Sequence, residues 1–91
     1  MSTSDYIFVH RGHKQIHIYM KKIIIGYQTK VGQLIKAKRL YKNITLPRLA
    51  LKAKISKGGL SKIENHSCNV TLETLLRIAK ALDCTVKDLL P

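Results

Sequence analysis

Apolar positions change period along the chain. Residues 6–9 (YIFV) and 15–20 (QIHIYM) are β-branched and aromatic. The second run alternates, with Ile16, Ile18 and Met20 on one side and Gln15, His17 and Tyr19 on the other. Period-two alternation predicts strands, and the linker HRGHK with Gly12 predicts a β-hairpin between them. Two strands are marginal alone in water, so this arm must pack on the rest of the chain or on a second copy. Residues 23–25 and Gly26 read as a further strand or an extended lead into the helical part of the chain. A competing reading starts the protein at Met20 and treats residues 1–19 as an accessory extension.

From Thr29 onward the period becomes helical. Thr29 reads as an N-cap, Val31, Leu34, Ile35 and Leu40 or Tyr41 form an inward stripe, and Asn43 ends the helix in a left-handed cap. Thr71 with Leu72, Leu75, Leu76, Ala79 and Leu82 spells a clear amphipathic helix. Residues 85–88 then read as a capping-box start to a last short helix carrying Val86, Leu89 and Leu90.

Between these lies the densest pattern, residues 45–65 (TLPRLALKAKISKGGLSKIEN). Thr45 caps a short helix with Pro47 in its first turn, where a missing N–H is harmless, so the Thr45 hydroxyl should accept from the Arg48 N–H. Leu49, Ala50 and Ala53 face inward, residues 54–55 make a corner, and Ser56 caps a second helix that buries Leu60 and Ile63. Small Ala50 where two helices cross, then Ile55, Leu60 and Ile63, is the spacing of a helix-turn-helix.

Ninety-one residues with 45% hydrophobic content fit one small helical core. Charge adds more. Lys and Arg number 17 against five Asp and Glu, a formal +12. Residues 6–63 hold 14 bases and no acid, whereas residues 64–91 hold three bases and four acids. That asymmetry calls for a polyanionic partner, most simply nucleic acid. Cys68 and Cys84 lack a CxxC pattern or a secretory signal, which predicts reduced thiols and a cytoplasmic protein. The apolar runs of the N-terminal part are far too short for a bilayer span.

The order and spacing of residues 31–90 resemble the Cro/repressor-like, or XRE-type, helix-turn-helix domains. The resemblance rests on Ile35, Arg39, Thr45, Leu49, Ala50, Ile55, Ser56, residues 60–65 (LSKIEN), residues 71–76 (TLETLL) and residues 79–82 (AKAL). It implies a mainly α, five-helix lambda-repressor-like domain over residues 29–91 behind a β-prone arm of residues 1–28. It also implies a nucleoid-associated dimeric regulator, a repressor by expectation, reading a palindromic operator in double-stranded DNA. Carried over residue by residue, Lys57, Gly58, Ser61 and Lys62 face base edges. Thr45, Leu46 and Asn65 grip phosphates, and Arg48, Lys38 and Lys54 add counter-charge at the edges. Arg39 and Glu64 should pair.

Three positions depart from the family. Leu46 stands where Gln is common, Lys54 where the turn commonly has Gly, and Gly58-Gly59 replaces side chains at the head of the recognition helix. The glycine pair costs about 2 kcal/mol of helix propensity and shifts readout toward phosphates and DNA shape.

Other features take ordinary readings. His10, His13 and His17 are surface groups rather than metal ligands, and the four tyrosines serve packing. Exposed apolar surface near residues 86–90 would suit a dimer contact. No catalytic constellation or phosphate loop is present, so no enzyme activity, cofactor or small-molecule ligand is expected. The alternative function is an antitoxin-like protein that silences a partner toxin and regulates its own promoter. Its motivation is the N-terminal quarter, which the DNA-binding core does not need.

Overall fold

The computed structural model describes residues 13–66 and 68–91, with side chains from residue 16 onward. Among the described residues, four α-helices run α1 (His13–Tyr41), α2 (Leu46–Ala53), α3 (Lys57–Asn65) and α4 (Leu72–Ala81), followed by a 3-10 helix (Val86–Leu89).

α1 corrects the expected β-prone arm. It is one helix of 29 residues, and Thr29, expected to cap its start, lies in its interior. The reason is cooperative. Once core contacts order residues 31–39, each further residue adds one backbone hydrogen bond at little nucleation cost, while an isolated hairpin gains no comparable support. The expected strand at residues 6–9 lies outside the described residues. A helix of this length spans roughly 43 Å, and the molecule measures 53 × 23 × 20 Å.

The five-helix expectation is corrected to four α-helices and a single 3-10 turn. That last element still starts as predicted at Thr85, whose N–H and hydroxyl donate to Asp88 Oδ2 at 3.1 and 3.0 Å.

Each short helix is bounded by its own sequence. Thr45 accepts from Arg48 N–H at a long 3.4 Å, Ser56 from Gly59 N–H at 2.9 Å, and Thr71 from Thr74 N–H at 3.1 Å. At the other end, Asn43, Lys54 and Asp83 adopt left-handed backbone at φ 56, 57 and 56°. After each, the next N–H reaches back five residues: Ile44 to Arg39, Ile55 to Ala50, and Cys84 to Ala79. One Schellman-type stop therefore ends three helices, none of them with the glycine that this geometry favours.

The core is Val31 and Ile35 from α1, Leu49, Ala50 and Ala53 from α2, Leu60 and Ile63 from α3, Leu75, Ile78, Ala79 and Leu82 at α4, and Leu89. α1 crosses α3, α2 packs on both α3 and α4, and the 3-10 helix closes against α1 and α4. Three expected core positions move outward: neither Leu40 nor Tyr41 turns inward, and Leu72 and Leu76 are exposed, while Ile78 takes the inner place on α4. Leu90 is exposed too. Among the described residues no helix is long and apolar enough to cross a membrane.

Candidate nucleic-acid interface

α3 carries the candidate base-reading residues. Lys57, Gly58 and Lys62 are exposed on it and Ser61 is half-buried. Behind it, Leu60 and Ile63 fix the helix in the core. Glu64 lies on this inner side with a fully buried carboxylate, met by the Arg39 guanidinium through Nε to Oε2 at 2.8 Å and Nη2 to Oε1 at 3.0 Å. The third donor, Nη1, reaches the Ile44 carbonyl at 2.9 Å. This bidentate pair ties α3 to α1, while the third bond ties both to the loop before α2. No buried polar side-chain atom among the described residues lacks a partner, so the charge is buried with its hydrogen bonds complete.

Gly58 and Gly59 are both helical with negative φ, so neither is needed for its backbone freedom. Space distinguishes them. A Cβ at Gly58 meets nothing within 4 Å, whereas one at Gly59 would sit 2.8 Å from the Ser56 hydroxyl that caps the helix. The open backbone of Gly58 is free to approach another molecule closely.

At the far end of α3, Asn65 donates to the Ser61 carbonyl at 3.0 Å, and Lys36 Nζ reaches its Oδ1 at 3.5 Å. Thr45 and Arg48 are exposed at the start of α2, and Leu46, where the family pattern favours a polar side chain, packs half-buried against the core. Lys54 is exposed in its left-handed cap.

Lys38 stands apart from this group. It is half-buried, and its charge acts on the Cys84 thiol and the Asp88 carboxyl beside the 3-10 helix. Burial pushes the Cys84 thiol up from its ordinary value, with Lys38 opposing. Cys68 and Cys84 are free thiols. His17 is exposed on α1, and no metal-sized cluster of His, Cys, Asp and Glu occurs among the described residues.

Two features are not evident from sequence patterns alone. Gly32 lies where α1 crosses α3, and a Cβ there would overlap the Ile63 carbonyl oxygen. A glycine interrupting a helical pattern is the one available signal. Lys52, Lys54, Arg77 and Lys80 line a groove of about 480 Å³ between the end of α2 and α4. Of these, Arg77 pairs with Glu73 at 2.5 Å.

Relatives carry the same architecture. The restriction-modification controller protein C.AhdI from Aeromonas hydrophila is 27% identical and superposes with a TM-score of 0.66, covering 68% of this chain and 94% of that one. The clp gene regulator ClgR from Corynebacterium glutamicum is 31% identical, with a TM-score of 0.66 over 68% of this chain and 66% of its own. SinR, the master regulator for biofilm formation solved in complex with DNA, is 37% identical, with a TM-score of 0.62 over 65% and 95%. No curated protein sequence matches. The family model for the Cro/C1-type helix-turn-helix DNA-binding domain matches residues 35–91. With that match, and with α2 and α3 joined by the tight turn at Lys54 and Ile55, the chain belongs to the Cro/C1-type helix-turn-helix family of DNA-binding transcriptional regulators.

Proposed function

We propose that this protein is a dimeric repressor that occupies a palindromic operator in double-stranded DNA, with α3 of each copy in the major groove. The observation that carries this reading is the face of α3: Lys57, Gly58 and Lys62 point outward with Ser61 at its edge, while Arg39 and Glu64 hold the helix from behind. Lys57 and Lys62 would donate to guanine O6 or N7, and Ser61 to several bases. Thr45, Leu46 and Asn65 flank that face as phosphate contacts, Leu46 through its backbone N–H. Arg48 and Lys54 add charge around them, with Lys38 contributing from the side nearer the 3-10 helix. Residues 29–91 thus hold the reading elements and residues 1–28 serve as an arm.

The test is selection of a site from random-sequence DNA, followed by binding of Lys62→Ala and Arg48→Ala. Lys62→Ala should lose about 1–3 kcal/mol on the selected site and little on random DNA, and Arg48→Ala should weaken both alike. Equal losses for Lys62→Ala would refute base reading there. With about six to ten phosphates neutralised, affinity should drop by roughly 10³–10⁵ between about 50 and 200 mM salt.

A further inference from the structure

α1 meets the far end of α3 at a lysine that no sequence pattern singles out. The two helices cross so closely that Gly32 has no room for a side chain against the Ile63 carbonyl. Lys36 follows four residues later, which puts it on nearly the same side of α1. There its Nζ donates to Asn65 Oδ1 at 3.5 Å. Asn65 turns its amide nitrogen the other way, to the Ser61 carbonyl at 3.0 Å. An exposed ammonium from α1 is thus placed at the C-terminal end of α3.

Lys38 cannot take that place. Residues two apart on a helix differ by about 200°, so Lys36 and Lys38 lie on nearly opposite sides of α1. With Lys36 against α3, Lys38 faces away from it. Of the two, only Lys36 reaches the end of α3.

Electrostatics call for a cation at this spot. The last carbonyls of a helix carry partial negative charge, about half an elementary charge in sum. An anion brought to the end of α3 meets that charge, and the neutral Asn65 amide does not offset it. Lys36 does, together with Lys62 in the last turn. Among the described residues the exposed acids are Glu73, Asp83 and Asp88, all on α4 or beyond it, and the nearer Glu64 is matched by Arg39. Lys36 enters neither of the ion pairs found among those residues. Its contact with Asn65 is at the long limit of a hydrogen bond, so a phosphate oxygen can replace it with a shorter, charge-assisted one.

Dimensions agree. Between Lys57 and Asn65 α3 rises about 12 Å, close to the width of the major groove. With Lys57 and Gly58 against base edges, the opposite end of α3 comes up beside a backbone strand.

We infer that Lys36 and Asn65 together form a phosphate-binding site, which takes a backbone oxygen of the DNA strand bordering the C-terminal end of α3. The inference rests on the placement of α3 proposed above and adds α1 to its contacts.

Anisotropy titrations of the full chain on the selected site and on random duplex, over about 50 to 200 mM salt, test it, with thermal melts to check folding. Lys36→Ala should weaken binding to both DNAs about fivefold and lower the salt slope by about one. Lys36→Arg should keep the slope. Lys87→Ala, which removes the same charge from the exposed side of the 3-10 helix, should change neither quantity. In an Asn65→Ala background Lys36→Ala should still lower the slope by about one. No further change there would mean that Lys36 only orients Asn65, and overturns the phosphate contact. A loss confined to the selected site, or a slope change no larger than that of Lys87→Ala, overturns it too. A wild type with no preferred site refutes the operator reading, while the slopes on random duplex still decide the phosphate site. One that binds neither DNA overturns both.

Discussion

Arg39 and Glu64 lie 25 positions apart, yet the guanidinium donates to both carboxylate oxygens, at 2.8 and 3.0 Å, in the interior. Leaving either charge alone there costs more than the pair contributes. Glu64→Leu or Arg39→Met should each lose about 3–5 kcal/mol in urea unfolding, while the double variant should recover most of that loss. A double variant as unstable as the sum of the two would show that the residues act independently.

The two glycines of α1 should respond to alanine with opposite signs. Gly26 has nothing within 4 Å of a built Cβ, so Gly26→Ala should gain up to about 1 kcal/mol from helix propensity. At Gly32 the added methyl meets the Ile63 backbone carbonyl, which cannot swing away like a side chain. There the crowding, roughly 1–3 kcal/mol, should exceed the propensity gain and displace α3. Chemical denaturation of both variants measures the contrast, and a stabilised Gly32→Ala would mean that the helix crossing has room for a methyl group.

Gly58 separates stability from binding. Gly58→Ala fills open space on α3 and should raise stability by up to about 1 kcal/mol. Its methyl would also stand where the proposed complex brings the backbone near DNA, so affinity for the selected site should fall. Melting and DNA titration of the same sample report the two effects, and unchanged affinity would remove Gly58 from the interface.

Asp88 predicts an acid-dependent closure. Hydrogen bonds from the Thr85 N–H and hydroxyl hold its carboxyl below the usual aspartate range. The folded state then binds that proton more weakly than the unfolded chain does. The contribution is complete above the unfolded pKa of about 3.9 and is lost as pH falls through the lower folded value. Asp88→Asn should therefore be less stable than wild type at neutral pH, with the gap closing toward about pH 2. Parallel stability curves across that range would contradict this.

The helix-turn-helix is legible in the sequence because its constraints are local or stereotyped. Thr45 and Ser56 cap as expected, Ala50 is small at a crossing, and Leu60 and Ile63 are buried at helical spacing. The arm is deceptive for a physical reason: residues 15–20 alternate over too few positions to outweigh a helix growing from residue 31. Likewise α4 contains six apolar residues, and only packing decides that Ile78 turns in while Leu72 and Leu76 turn out. For the candidate interface, residue types and spacing point to the exposed face of α3, but not to the placement of Lys38 beside the 3-10 helix or the tight contact at Gly32.

The three bonds of Arg39 have a mechanical consequence. They brace α1, the loop at Ile44 and α3 against one another, so the projecting half of α1 is a lever rigidly joined to α3. Whatever tilts that lever also tilts α3. In the proposed dimer on its proposed operator, a few degrees of tilt along α1 would change the distance between the two copies of α3, which one turn of DNA sets at about 34 Å.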